Sequence, residues 1–252
     1  MPKKEMRGAK MRIIEAKDKN ESGNIAAKII IDLIREKGNA TLGLATGSSP
    51  ETTYMSLARA YERGEISFSD VKTVNLDEYV GLDGAHPQSY RYFMEEKLFS
   101  KVNIKCENTH LPNGIAEDLA SECERYNEVI HSLSPIDIQI LGIGHNGHIG
   151  FNEPSEFFTE NTHVVNLSPS TIEANSRFFP SKSDVPTKAI TMGISQIMSA
   201  KSIILLAFGE EKSTILHTAL TGDITPTCPA SILQHHPNLT VIADTLALSK
   251  MI

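Results

Sequence analysis

The sequence has no tryptophan, only three cysteines and no apolar run long enough to cross a membrane. Cys106, Cys123 and Cys228 lie far apart and form no CxxC pair, which excludes a disulfide framework and favours a reducing compartment. The first ten residues are basic but are not followed by the apolar stretch of a secretory signal. We therefore expect a cytoplasmic protein without a membrane partner, in which residues 1–10 form a flexible extension.

A basic excess is also lacking, since 24 lysines and arginines face 31 aspartates and glutamates for a net charge of −7. This balance argues against a nucleic-acid partner. It also means that an anionic ligand would need local cations, because the overall field repels it. A length of 252 residues with 40% hydrophobic residues can bury a full core without a metal or a disulfide. We expect one α/β catalytic domain over residues 11–252.

Short apolar runs alternate with longer helical patterns along the chain. This alternation predicts an α/β fold with an open, mainly parallel sheet and helices on both faces. Residues 155–188 are the least regular region and are interpreted either as a lid over the site or as a surface excursion. The predicted strands cover residues 11–16, 39–45, 71–75, 136–144, 201–209 and 239–248, and the predicted helices cover residues 22–38, 50–64, 88–102, 116–133 and 210–220.

The stretch "GLATGSSPETT" places small polar residues directly after a predicted strand. Ligands of open parallel sheets bind beyond the carboxyl ends of the strands. Thr46, Gly47 and Ser48 precede a helix start, where unpaired N–H groups attract anions, so this turn is a candidate phosphate cradle. The ordinary alternative is that Ser49 only caps the helix that opens with Pro50.

Two adjacent acids, Asp77 and Glu78, follow the next strand. Such a pair can simply cap a turn. Beside a phosphate cradle, however, a carboxylate at this edge is a candidate general base, and Asp77 is placed to act on carbon.

The stretch "LGIGHNGHIGFNEP" brings His145, Asn146, His148 and Glu153 to the same edge among glycines that allow unusual backbone turns. The two histidines and Glu153 have a spacing that a metal site could use. No predicted helix fixes the histidines on one face, so we favour acid–base work by one imidazole and expect no metal. Asn146 and Glu153 would then orient that imidazole.

Two cations are candidates for the counter-charge of a phosphate. Lys212 follows a strand at the start of a predicted helix, and Arg177 lies in the irregular region. Each is an ordinary solvated side chain unless the cradle holds an anion nearby.

Five stretches together resemble the glucosamine-6-phosphate deaminase (NagB) family, whose fold is Rossmann-like. They are "LATGSSPETTY", "NLDEYVGLDGAHPQSY", "LGIGHNGHIGFNEP", "ANSRFF" and "FGEEK", and they occur in the order of the family. The resemblance implies that glucosamine 6-phosphate and water are converted to fructose 6-phosphate and ammonia without a cofactor. The segment "TPTCPASILQHHPN" also resembles the family and receives no catalytic role.

The resemblance further implies roles for single residues. Asp77 would move a proton from C2 to C1 of the sugar, and His148 would help to open its ring. Glu153 and Asn146 would orient His148. The residues implied to hold the phosphate and the sugar are Thr46, Gly47, Ser48, Arg177 and Lys212.

The chain departs from the family pattern in two places. Asn146 stands where many members have an aspartate, so Glu153 would have to supply most of the charge that stabilises an imidazolium. His163 and Val165 stand where members activated by N-acetylglucosamine 6-phosphate have basic residues, and the sequence stops at Ile252, before the longer regulatory tail. We expect no such activation and a monomer or a small homo-oligomer.

Two other functions are weighed against this one. A 6-phosphogluconolactonase would share the fold, but its relatives usually read "DER" where this chain has "DEY" at Asp77, and they lack "FNEP". A non-catalytic sugar-phosphate sensor would not need Asp77 or His148.

Overall fold

The computed structural model describes residues 10–251, so residues 1–9 of the extension predicted over residues 1–10 lie outside this range. The predicted α/β fold is confirmed, with seven parallel strands in the order β1-β10-β9-β6-β2-β3-β5. The first strand starts at Lys10, which we had assigned to the extension. The strands of this sheet are β1 (Lys10–Ala16), β2 (Thr41–Leu44), β3 (Lys72–Asn75), β5 (Thr109–His110), β6 (Ile138–Gly142), β9 (Ile203–Ala207) and β10 (Asn238–Asp244).

Helices cover the sheet. Their bounds are α1 (Lys19–Lys37), α2 (Glu51–Glu62), α3 (Tyr90–Lys97), α4 (Leu119–Leu133), α5 (Pro169–Ser176), α6 (Ile194–Met198) and α7 (Ser213–Thr221). No helix within residues 10–251 is long and apolar enough to cross a membrane.

Helix α1 shows how the sequence sets the ends of an element. The Asp18 carboxylate accepts the N–H of Glu21 at 2.8 Å, and Gly38 ends the helix at a φ of 73°. The buried face includes the small side chains of Ala26 and Ala27 beside Ile30 and Ile34. Ile25, Ile29 and Leu33 are only partly buried.

A second, antiparallel sheet was not predicted. It has the order β4-β8-β7, where β4 is Asp77–Tyr79, β8 is Lys188–Thr191 and β7 is His163–Asn166. Asp77 therefore does not lie in a loop, as we had expected, but in a strand in which it faces Thr191 in register. Residues 155–188, the least regular region of the sequence, contain β7 and α5, and their interpretation as a lid stays a prediction.

The order of the strands creates a crevice. The chain proceeds from β2 towards β3 and β5 on one side, then returns with β6 to the other side of β2. The loops after β2 and β6 therefore diverge, and in open sheets this is where ligands bind. A separate apolar cluster around Tyr79, Phe151 and Phe179 packs the small sheet against the segment that carries α5.

Candidate active site

A cavity of about 620 Å³ opens at the carboxyl ends of β2, β3, β6 and β9. It brings together candidate residues that lie as far apart in the sequence as Thr46 and Lys212. Of the predicted site residues, only Glu153 stays out of the wall, and it lies directly behind His148. The predicted residues in the wall are Thr46, Gly47, Ser48, Asp77, Asn146, His148, Arg177 and Lys212.

The turn after β2 leaves its backbone donors free. Gly47 has a φ of +88°, which side-chain-bearing residues rarely adopt. Helix α2 has Pro50 at its N-cap and no side-chain cap, so the alternative that Ser49 caps this helix is wrong. Within residues 10–251, no acceptor binds the N–H groups of residues 47–49. Unpaired donors at a helix start form a binding surface for an anion.

The loop after β6 folds tightly around the imidazole of His148. Gly144 N–H donates to the carbonyl of His148 at 2.9 Å, and Gly147 N–H donates to the carbonyl of Gly144 at 3.1 Å. A Cβ at Gly144 would lie 2.3 Å from Cε1 and Nε2 of the ring, so only glycine permits this contact. Nδ1 of His148 is buried and makes no hydrogen bond to the described residues, although the side chain is 20% exposed to the cavity.

The Glu153 carboxylate accepts hydrogen bonds on both oxygens. Asn146 Nδ2 donates to Oε2 at 2.6 Å, and the hydroxyls of Thr171 and Ser168 donate to Oε1 at 2.5 and 3.2 Å. Nδ1 of His148 lies 3.7 Å from Oε2, an electrostatic contact rather than a hydrogen bond. Burial alone would raise the pKa of Glu153, but the imidazole, Thr171 and Asn146 outweigh it and lower that pKa to about 2. The group stays an anion facing His148.

Asn146 acts differently from what the sequence predicts. Its amide binds Glu153, and its Oδ1 accepts the backbone N–H of His148 at 3.2 Å. Asn146 therefore holds the carboxylate and the loop, and it makes no hydrogen bond to the imidazole.

The two adjacent acids have separate positions. Asp77 is 5% exposed and lines the cavity, and burial, with Glu78 next to it, raises the pKa of its carboxyl well above the usual range. A Cβ at Gly150 would lie 3.5 Å from Asp77 Oδ2, which places the histidine loop against this carboxylate. Glu78 instead accepts the N–H groups of Tyr90 and Arg91 at 2.8 and 2.9 Å, so it anchors the start of α3.

The opposite wall is cationic. Burial lowers the pKa of Lys212; the neighbouring Glu211 raises this pKa, and Arg177 lowers it. Burial also lowers the pKa of His145, and Lys212, His148 and Arg177 act in the same direction. Among residues 10–251, Arg177 and Lys212 form no ion pair with a carboxylate. Cations that are not held in an ion pair around a cavity attract a multiply charged anion.

Sequence reasoning missed several residues of the wall and its support. The contacts of Thr171 and Ser168 with the site are not predicted, because hydroxyl side chains in an irregular, polar segment are usually exposed to solvent. Tyr90 and Asn175 reach the cavity from α3 and α5; both lie in stretches quoted for the family resemblance, which gave neither of them a role. Lys19 reaches the cavity from the start of α1. Residues 10–251 contain no group of three His, Cys, Asp or Glu side chains placed to hold a metal ion.

The fold and the cavity define an α/β protein whose pocket is lined by a buried carboxyl, an imidazole backed by a carboxylate, and two cations. The family model for glucosamine-6-phosphate isomerases and 6-phosphogluconolactonases matches residues 19–242. The chain belongs to this family, and the resemblance noted in its sequence is confirmed.

Individual relatives narrow the comparison. A protein of Lachnoclostridium phytofermentans named glucosamine-6-phosphate deaminase is 54% identical over 92% of this chain and 98% of its own. A deaminase of Clostridium beijerinckii is 53% identical over 93% and 97%. A solved monomeric glucosamine-6-phosphate deaminase of the NagB superfamily superposes with a TM-score of 0.93 at 46% identity, over 95% of this chain and all of that one. A 6-phosphogluconolactonase of Thermotoga maritima superposes with a TM-score of 0.76 at 21% identity, over 94% of this chain and all of that one, and shows the shared fold.

Proposed function

We propose that this protein is a glucosamine-6-phosphate deaminase, which converts glucosamine 6-phosphate and water to fructose 6-phosphate and ammonia. The observation that carries the proposal is that Asp77, the imidazole of His148 and the cationic wall line one cavity. The deaminases that match almost the whole chain at more than half identity support it.

The phosphate fixes one end of the sugar. It lies against the N–H groups of Gly47 and Ser48 and takes Arg177 and Lys212 as counter-charges. These contacts are remote from the reacting carbons, so their binding energy serves to orient the substrate.

Ring opening is the work of His148. The imidazole takes the proton of the O1 hydroxyl and returns a proton to the ring oxygen, which leaves an open-chain aldehyde. Glu153 remains ionised and faces Nδ1 at 3.7 Å, so it stabilises the imidazolium that forms between these two transfers.

Isomerisation and release of ammonia follow at C1 and C2. Asp77 takes the proton from C2 and delivers it to C1, while the ammonium on C2 gives up one proton and O1 gains one and becomes a hydroxyl. C2 is then a protonated imine, and attack by water on C2 expels ammonia and leaves the ketone. Burial makes Asp77 a stronger base than an exposed aspartate, and the ammonium of the bound substrate favours its ionised form.

The two alternatives explain fewer of the features. Hydrolysis of a lactone requires no base directed at a carbon-bound proton, and the lactonases share only the fold at 18–21% identity. A sensor without turnover leaves the raised pKa of Asp77 and the Glu153–His148 pair without a use. We also propose that the protein is a monomer, in line with the monomeric deaminase that it superposes on, and that it works in the cytoplasm.

A coupled assay tests the proposal. The purified protein is incubated with glucosamine 6-phosphate, and ammonia and fructose 6-phosphate are measured in parallel. Equal amounts of both products support it. Hydrolysis of 6-phosphogluconolactone without ammonia release, or binding of the sugar phosphate without either reaction, would refute it in favour of the lactonase or the sensor.

A further inference from the structure

Helix α5 reaches the Glu153 carboxylate through its first turn. Ser168 is the N-cap of this helix, and its hydroxyl and N–H lie 3.2 and 3.3 Å from Oε1. Thr171, 5% exposed, donates its hydroxyl to the same oxygen at 2.5 Å. All of the contacts on Oε1 therefore come from α5, whereas Oε2 contacts Asn146 and faces His148.

The same helix also contributes to the cavity at its other end. Asn175 donates to the hydroxyl of Tyr79 in β4 at 2.9 Å, two residues from Asp77. Arg177 and Phe178, which follow the helix, line the cavity. The helix is thus held at one end by the carboxylate behind His148 and at the other by the strand of Asp77.

We propose that Thr171 is a positioning residue of the reaction, whose hydroxyl ties the docking of α5 over the cavity to the orientation of Glu153 against His148. The proposal rests on the function given above. A loosened α5 would release Oε1, and the carboxylate would turn away from the imidazole. Ring opening would then proceed only while the helix that carries Arg177 is docked.

The surroundings of Glu153 make Thr171 the decisive contact on Oε1. The side chains that reach the carboxylate from α5 and from Asn146 are uncharged, and His148 is the one titratable group in contact with it within residues 10–251. On the outer side of α5, Glu173 pairs with Lys182 and is exposed. The other titratable or charged groups that border the cavity include Lys19 at the start of α1, Asp77 on β4, His145 on the histidine loop, Arg177 after α5, and Glu211 and Lys212 after β9.

Without the Thr171 hydroxyl, Oε1 would keep only the two longer contacts with Ser168. Burial, which raises the pKa of Glu153, would then be less fully opposed. The carboxylate would protonate at higher pH and lose its fixed orientation, while the groups that bind the phosphate would be unchanged.

Thr171→Val tests this inference, since it removes the hydroxyl and keeps the shape of the side chain. Thr171→Ser keeps the hydroxyl and serves as the conservative rescue. Ser176→Ala removes a hydroxyl from the same helix whose contact is the carbonyl of Glu173, and it controls for general loss of helix stability. Thr171→Ala replaces the valine variant if that variant does not fold.

Two readouts separate positioning from a structural role. The first readout is the ¹³C chemical shift of the Glu153 carboxyl carbon as a function of pH, measured without substrate in protein labelled with ¹³C-glutamate. The signal is assigned by comparison with Glu153→Gln. We expect its midpoint to rise by about one pH unit in Thr171→Val, as befits one hydrogen bond to a charged group. The second is turnover, where we expect kcat to fall about tenfold with little change in KM. Thr171→Ser should stay near the unaltered protein in both.

An unmoved midpoint in Thr171→Val, or a loss confined to KM, would overturn the positioning role. The same holds if Ser176→Ala lowers kcat as much as Thr171→Val does. Absence of ammonia release by the unaltered protein would overturn the proposed function and the positioning role with it. Normal ammonia release with an unmoved midpoint would overturn the positioning role alone.

Discussion

The imidazole of His148 lies against the backbone of Gly144, so closely that a Cβ at Gly144 would be 2.3 Å from Nε2. Gly144 therefore does more than allow a turn, because its lack of a side chain leaves the space that the imidazole occupies. Since the ring belongs to the proposed ring-opening step, Gly144→Ala must displace either the imidazole or the backbone of its loop. We expect kcat to fall by roughly tenfold to a hundredfold, because the general acid–base group loses its alignment.

Gly142→Ala is the matched control for Gly144→Ala. It adds the same methyl group to the same stretch of chain, and the nearest heavy atom would be at an ordinary 3.7 Å, in Ser49. Turnover and thermal unfolding of both variants should be measured together. A Gly144→Ala enzyme as active as Gly142→Ala would contradict the assigned contact.

Asp77→Asn should separate activity from stability. The variant cannot take a proton from C2, so we expect turnover to fall roughly 10²- to 10⁴-fold while the substrate still binds. Unchanged turnover would remove Asp77 from the mechanism. Glu78→Gln is the control, because Glu78 accepts N–H groups at the start of α3. This variant should lower the Tm more than it lowers turnover.

The raised pKa of Asp77 also predicts how stability depends on pH. A carboxyl whose pKa is higher in the folded than in the unfolded chain favours folding while it is neutral. That contribution is complete below the unfolded pKa and is lost as the pH rises through the folded pKa. The uncharged Asp77→Asn variant should therefore have a higher Tm than the unaltered protein at about pH 8, and the difference should shrink on acidification. A Tm difference that does not depend on pH would contradict the buried, titrating carboxyl.

The case of Asp77 also shows which part of the fold the sequence reveals. The longer strands of the large sheet are mainly apolar runs, such as Ile203–Ala207, and their period and length identify them. Strand β5 has only Thr109 and His110, and the sequence does not predict it. Strand β4 has only the residues Asp77–Tyr79, all polar or amphipathic, and it exists because β8 pairs with it across more than a hundred residues of chain. No local pattern records such a pairing.

The candidate site also has a part that the sequence predicts and a part that it does not. The glycine-rich turn at Gly47 and the loop around His148 follow strands directly, so the rule for the edge of a parallel sheet brings them together. The contact of Thr171 with Glu153, by contrast, depends on how α5 docks, and the sequence around Thr171 is an ordinary polar helix start. The partner of Asn146 could not be inferred either, since an amide binds a carboxylate or a ring nitrogen equally well.

The cationic wall makes a prediction about binding. Lys212→Met should raise KM for the phosphorylated sugar by roughly tenfold to a hundredfold, because a charged hydrogen bond to the phosphate is lost. Arg177→Gln should act in the same direction but less strongly, since Arg177 is exposed. Inorganic phosphate as a competitive inhibitor should weaken in parallel with the substrate.

Lys182→Gln is the control for these charge changes. Lys182 lies in the same segment as Arg177, but it is exposed and pairs with Glu173 outside the cavity. Its KM should stay at that of the unaltered enzyme. Equal effects of Lys182→Gln and Lys212→Met would mean that only the overall charge matters and would contradict a phosphate contact.

Regulation by N-acetylglucosamine 6-phosphate is not expected, because the basic residues of the activated family members are missing. The resemblance places His163 and Val165 at the positions of these basic residues. Both lie in β7, where Nδ1 of His163 lies 3.0 Å from the carbonyl of Asn161 and Val165 packs against the apolar cluster of the small sheet. An effector shifts an equilibrium only by the difference in its affinity for two states, and an anion finds no lysine or arginine at these two positions. Saturation curves for glucosamine 6-phosphate should therefore keep the same half-saturation concentration with and without the acetylated sugar phosphate, and sedimentation should show a monomer in both cases. A sharp fall in half-saturation on adding the effector, together with a larger sedimenting species, would show that another surface of the protein supplies the missing charge.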